Sequence, residues 1–220
     1  LPPGLLHIGL ILGVTMKRRL QFPSSTRRRP ARDTATRRTA GKNDEPRQML
    51  VIAGFLKCGT TSLFSHLSQH PEICGSTVKE TGFFVPTEEI RRERWHPFPP
   101  LRFEDGWPAY TSYFRDANRP VWLEATNYVR FPASAENLRL LCPNAKLIFL
   151  VRNPLEQAMS AYRFRQLVGT LSHRLSFEEY VERESKVGPH LIFGMGDLVL
   201  CQYTRFLEPF FAAFPSSQLK

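Results

Sequence analysis

Between Leu50 and Leu63 an apolar run stops at Gly54, the chain crosses Phe55-Leu56-Lys57-Cys58 to Gly59, and Thr60-Thr61-Ser62 follows at once. The uninterrupted apolar run predicts a buried strand of a parallel sheet. Three hydroxyl residues after a glycine predict a helix start, where side-chain oxygens meet unpaired backbone N–H groups. Glycines between the two let the backbone turn and approach a ligand. A strand that turns through glycines into a helix creates an anion cradle at the helix N-terminus, and Lys57 stands beside it.

The pattern departs from the loop that grips nucleoside triphosphates, G-x-x-x-x-G-K-[ST]. Gly54, Gly59 and Thr61 fill their slots, but Thr60 occupies the lysine slot and the lysine sits earlier, at Lys57. The backbone cradle is kept while the charge has moved. This argues against ordinary Mg²⁺-dependent ATP hydrolysis, and no clear Mg²⁺-binding aspartate follows an apolar strand. A plain glycine turn with an exposed lysine remains the alternative from the loop alone.

A second segment weighs against that alternative. Lys146 to Val151 reads as another apolar strand and runs straight into Arg152-Asn153-Pro154. Proline suits a first helical position, and Leu155, Met159, Tyr162, Phe164 and Leu167 carry helical spacing through Val168. Arg152 at the strand end and Ser160 inside the helix are placed to converge on one anion, a planar guanidinium fork with a neutral hydroxyl donor.

Lys57-Cys58-Gly59-Thr60-Thr61-Ser62-Leu63, then Arg152-Asn153-Pro154 and Ser160-Ala161-Tyr162, resemble the sulfotransferases that use 3′-phosphoadenosine 5′-phosphosulfate (PAPS). The pieces His70-Pro71-Glu72-Ile73, Lys79-Glu80-Thr81-Gly82-Phe83-Phe84 and Leu123-Glu124-Ala125-Thr126-Asn127-Tyr128 resemble the heparan-sulfate, Golgi carbohydrate branch in order and spacing. The resemblance covers residues 49–220. It implies that Lys57, Cys58, Gly59, Thr60, Thr61 and Ser62 hold the 5′-phosphosulfate and that Arg152 and Ser160 hold the 3′-phosphate. It also implies that Glu80 is the general base and that Lys57 stabilises charge on the leaving phosphate. The implied activity is sulfuryl transfer to a hydroxyl or amine of a glycosaminoglycan-like acceptor, with PAPS as co-substrate and no metal required. A nucleotide kinase or NTPase, or a catalytically inactive nucleotide-binding module, is the alternative.

Glu80 has a plainer reading as half of an ion pair with Lys79. Glu124 is a second carboxylate candidate, with a structural hydrogen-bonding role favoured. Cys58 reads as a small loop filler. Three positions depart from the resembling branch: Ala125 stands where a lysine is frequent, Asn153 where an aspartate is, and Gln157 where an arginine is. They are expected to face the cleft and so to bear on the acceptor.

Charge separates two regions. The chain carries a net +10, but residues 1–48 hold eleven Lys and Arg against three Asp and Glu, while the remainder is nearly balanced. The basic character therefore belongs to the leader, and the domain offers no electrostatic case for nucleic acid. The leader is expected to be disordered. Its apolar run Leu5–Val14 is too short for a bilayer, which needs about twenty residues, and reads as the remnant of a membrane anchor. Golgi lumen is the implied compartment; an Arg/Ser/Thr-rich leader is also compatible with organelle targeting or a cytoplasmic enzyme, and Met16 is an alternative start. The histidines show no metal-ligand spacing, and the four cysteines require no disulfide.

Strands alternating with helices imply a three-layer α/β, P-loop-type fold around a central parallel sheet. Strands are expected at 49–53, 121–125 and 146–151, and helices at 60–68, 133–141, 155–168, 177–184 and 198–214. The proline-rich stretch 74–120, with Arg91, Arg92, Arg94, Trp95 and Trp107, is expected to lack regular structure and to wall the acceptor cleft. A further strand is expected to begin at Gln218-Leu219-Lys220, so the chain reads as a partial domain, truncated at its C-terminus.

Overall fold

The computed structural model describes residues 48–92, 98–116, 118–186 and 196–220. The leader, its apolar run, Arg94 and Trp95 lie outside the described residues. Chain order runs β1 (Gln48–Ile52), α1 (Thr60–Leu67), β2 (Ile73–Gly75), α2 (Thr87–Arg92), α3 (Gly106–Thr111) and β3 (Val121–Ala125). It continues with α4 (Ser134–Leu141), β4 (Lys146–Ile148), α5 (Pro154–Leu167), α6 (Phe177–Ser185) and α7 (Tyr203–Ala213).

The four strands form one parallel sheet in the order β2-β3-β1-β4. Leu50 lies opposite Leu123 on one side and Lys146 on the other. Alternation along β1 sends successive side chains to opposite faces. Met49 and Val51 enter the larger core with Phe83, Phe84, Tyr110, Leu138 and Phe210, while Ile52 joins Leu123, Ala125 and the α1 residues Leu63, Phe64 and Leu67. Helices thus cover both faces, as expected for a three-layer α/β fold.

The chain leaves β1 toward β2 and β3 on one side and crosses back to β4 on the other. The carboxyl end of β1 is therefore the point where the winding reverses, and open α/β sheets bind ligands in the crevice there. Ala53 donates its N–H to Ile148 at 3.0 Å and Thr126 donates to Ile52 at 3.2 Å, which holds the ends of β4, β1 and β3 in one rim. Beyond β4, Leu219 bridges parallel to Leu147, and Phe149 donates to the Lys220 carbonyl at 2.8 Å. The strand pairing expected at that point begins there.

Several elements differ from the sequence expectation. The stretch 74–120 is not irregular throughout: it holds the end of β2, all of α2 and all of α3. Two of its prolines sit where a helix has no use for an N–H. Pro108 lies in the first turn of α3, and Pro86 precedes α2, its carbonyl accepting from Glu89 and Ile90. Trp107 is half-buried, stacking on Trp122 at 5.9 Å and packing against Tyr110. β4 ends at Ile148 rather than Val151, and the expected 198–214 helix is a 3₁₀ turn, Val199–Cys201, followed by α7.

Candidate active site

Gly59 caps α1 in the left-handed region, at φ 93°. Without a Cβ it adopts that conformation free of steric cost. The backbone N–H groups of Gly59, Thr60, Thr61 and Ser62 have no acceptor among the described residues, and no side chain caps the helix. Gly54 serves by closeness instead: a Cβ there would stand 2.7 Å from Thr60 Cγ2 and 3.3 Å from the Leu150 nitrogen. The loop is pressed between α1 and the end of the β4 segment.

Lys57 is left-handed too, at φ 64°, a conformation uncommon for a residue with a side chain. Its ammonium lies 4.3 Å from the centroid of the Phe164 ring, a cation–π contact. Burial, and after it the nearby Arg152 charge, hold its pKa below the ordinary lysine value. Phe164 and Ser160 are one turn apart on α5 and share a face, so the loop lysine reaches the helix that bears Ser160. Arg152 lies just before α5, exposed and paired through Nε with Glu156 at 2.9 Å. Lys57 and Arg152 are thus two cations close enough to repel, beside a row of unpaired N–H donors.

Glu80 is the other left-handed residue with a side chain among the described residues, at φ 65°. Three contacts fix it at the end of β3. Its N–H donates to Ala125 at 2.8 Å, its Oε2 accepts from the Asn127 N–H at 2.9 Å, and its Oε1 pairs with Lys79 Nζ. The carboxylate stays about one-third exposed, so the ion-pair reading and accessibility hold together.

Behind it, Glu124 is fully buried and accepts from the hydroxyls of Thr81, Tyr110, Tyr128 and Thr126, the Tyr110 bond being 2.6 Å and the Thr126 bond 2.9 Å. Burial raises its pKa, and the four hydroxyls work against that rise. A carboxylate enclosed in this way cannot meet an acceptor. It pins Thr81, the residue after Glu80.

Two of the three departures, Ala125 and Gln157, are buried rather than open to a cleft. Ala125 is fully buried. Asn153 is the N-cap of α5, its Oδ1 accepting from Leu155 at 3.0 Å and Glu156 at 3.4 Å. Gln157 is 2 % exposed and reaches the loop, donating from Nε2 to the Leu56 carbonyl at 2.9 Å. Sequence spacing gave no warning of this, because a glutamine on a helix is ordinarily solvated.

Cys58 is half-buried, with burial raising its thiol pKa, as befits a loop filler rather than a nucleophile. Among the described residues all four cysteines are free, no His/Cys/Asp/Glu group is arranged to hold a metal, and no helix is long and apolar enough to cross a membrane.

Residues 47–216 match the family of proteins with a sulfotransferase domain, and this chain belongs to that family. Among its relatives, the membrane-associated sulfotransferase kil1 of Dictyostelium discoideum is 34 % identical over 142 residues, covering 62 % of this chain and 28 % of kil1. The bifunctional heparan sulfate N-deacetylase/N-sulfotransferase 1 of Caenorhabditis briggsae is 28 % identical over 127 residues, 54 % of this chain and 13 % of that protein. The chain therefore spans under a third of the length of these relatives. A crystal structure of a sulfotransferase from Alicyclobacillus acidocaldarius superposes with a TM-score of 0.64 at 26 % identity, over 80 % of this chain and 72 % of that one.

Proposed function

We propose that this domain transfers the sulfuryl group of PAPS to a hydroxyl or amine of a carbohydrate acceptor. The observation that carries the reading is the row of unpaired N–H groups at Gly59–Ser62 flanked by two mutually repelling cations, Lys57 and Arg152. Free N–H groups at a helix start and a lysine held beside a second cation both ask for an anion, and a doubly phosphorylated nucleotide meets both demands. The residues present fit PAPS. Gly59, Thr60, Thr61 and Ser62 hold its 5′-phosphate from the backbone, with the Thr60 and Thr61 hydroxyls beside them and Cys58 completing the turn. Arg152 exchanges its exposed Glu156 partner for the 3′-phosphate, with Ser160 as a neutral donor. Bound there, PAPS supplies an activated sulfuryl group.

Glu80 accepts the acceptor's proton on its carboxylate, and Lys57 stabilises negative charge on the leaving phosphate oxygen. Glu80 is suited to that work because its backbone is fixed to β3 while its carboxylate stays accessible. A carbohydrate acceptor is supported by the heparan sulfate relatives. A lumenal Golgi setting follows from that acceptor class and belongs to the same proposal.

Calorimetry with 3′-phosphoadenosine 5′-phosphate (PAP) against ATP tests the site. PAP is expected to bind at least tenfold tighter, without added Mg²⁺. Preference for ATP overturns the reading in favour of a nucleotide kinase.

A further inference from the structure

We infer that Gln157 and Tyr203 act together as a positioning device that holds the two anion-binding segments in register. The inference rests on the reading of the loop and Arg152 given above. Gln157 is buried, and its amide is used at both ends. Nε2 donates to the Leu56 carbonyl at 2.9 Å, and Oε1 lies 2.6 Å from the Tyr203 hydroxyl.

The same hydroxyl stands 2.7 Å from the Arg152 carbonyl and 3.3 Å from the Arg152 N–H. One phenol therefore touches both backbone groups of the arginine, and one glutamine passes that contact to the loop. Tyr203 has a single proton, which goes either to Arg152 or to Gln157. In the first case the Cys201 thiol, 3.2 Å from Gln157 Oε1, supplies the missing donor. In that arrangement the Arg152 carbonyl and Gln157 Oε1 each have a donor.

What the bridge holds makes it more than packing. The Leu56 carbonyl belongs to the peptide that precedes Lys57, and the orientation of that peptide sets the left-handed φ of Lys57. Strained backbone persists only where neighbours over-determine it. Gln157 supplies that constraint from inside α5. Tyr203 is itself fixed, its ring 4.7 Å edge-on from Phe55, the residue before Leu56. Its hydroxyl is pushed up to about 12 by burial, so it remains a neutral donor through the physiological range. The two phosphate-holding segments, remote in sequence, thus share one hydrogen-bonded link that touches no phosphate.

Tyr203→Phe and Gln157→Ala separate positioning from packing, since the first removes only an oxygen. Calorimetry with PAP and thermal denaturation without it are the readouts. The expected result is PAP affinity about five- to tenfold weaker in each variant, the loss of one or two hydrogen bonds that set geometry. Tyr203→Phe is expected to change the melting temperature by less than about 2 °C. The double variant is expected to lose little more than either single one, because the bridge acts as a unit.

Wild-type affinity for PAP with both single variants unchanged overturns the inference and leaves the reading of the site intact. Affinity lost only in step with melting temperature also overturns it, since that is a stability effect. No PAP binding by the wild-type chain overturns the site reading and the inference with it.

Discussion

Glu80 takes the backbone N–H of Asn127 onto one carboxylate oxygen at 2.9 Å, while its own N–H is bound to Ala125 on the same strand end. Two residues far apart in sequence are thus locked so that the second oxygen of Glu80 faces Lys79 and solvent. The lock explains how a left-handed glutamate is tolerated, and it makes the first prediction specific. Glu80→Gln keeps the Asn127 acceptor and loses the proton-accepting charge together with the Lys79 ion pair. Sulfation is expected to fall by about a hundredfold or more, with PAP affinity within twofold of wild type. A near-normal rate with unchanged PAP binding would show that another group takes the proton.

Gly54 offers a test of the loop that leaves charge alone. Gly54→Ala drives a methyl against Thr60 Cγ2, 2.7 Å away. Thr60 must shift, and the first N–H groups of α1 move with it. PAP affinity is expected to fall by about tenfold or more. Thr60→Ser removes the opposing methyl and keeps the hydroxyl, so the double variant is expected to recover most of the loss. The Leu150 nitrogen, at 3.3 Å, sets the ceiling on recovery. Calorimetric titration of the three proteins decides it; no recovery means that the clash lies with Leu150.

How much of this was legible from residues alone follows from the forces that shape each segment. The loop was, because a strand, two glycines and a hydroxyl run are local and each carries its own backbone requirement. Helix α5 was legible as a helix but not as a face. Its apolar residues Leu155 and Leu167 are exposed, while Gln157, Ala158, Ala161 and Arg165 are buried. The apolar spacing was real, yet tertiary hydrogen bonds and an ion pair chose the inward side. The 74–120 stretch misled for a related reason. Prolines argue against helix interiors but not first turns, and Trp107, taken for part of a ligand surface, packs half-buried against the core through Trp122 and Tyr110.

Glu124 gives a pH-dependent prediction. Its pKa is raised in the folded protein above the ordinary 4.5, so the folded state holds its proton more tightly than the unfolded chain. The stability that goes with that proton is fully present below 4.5. It is lost as pH rises through the folded pKa. Glu124→Gln carries no such charge, so its unfolding midpoint in urea is expected to be flatter than wild type between acid and neutral pH. Glu124→Ala removes the acceptor shared by four buried hydroxyls, of which only Thr81 and Tyr128, 3.2 Å apart, can bond to each other, and is expected to cost about 3 kcal/mol or more. Equal pH slopes for wild type and Glu124→Gln would mean that the cage titrates outside this range.

Two arginines at opposite ends of the α5 region separate binding from stability. Arg152 is exposed, and its partner Glu156 is exposed as well. Such a pair contributes at most about 1 kcal/mol. Arg165 is buried, and its Nε pairs with Asp197, which also receives the Tyr180 hydroxyl at 2.6 Å. Glu184 lies in the same cluster, accepting from the Gly196 and Asp197 N–H groups at 2.7 and 2.6 Å. Arg165→Ala therefore leaves two buried carboxylates without the guanidinium and is expected to cost about 3–5 kcal/mol. Arg152→Ala is expected to leave the urea midpoint nearly unchanged and to weaken PAP binding by about tenfold or more, through loss of a charge-assisted contact. If Arg152→Ala instead lowers stability as much as Arg165→Ala while PAP binding persists, Arg152 is a structural residue, and the 3′-phosphate must be held elsewhere.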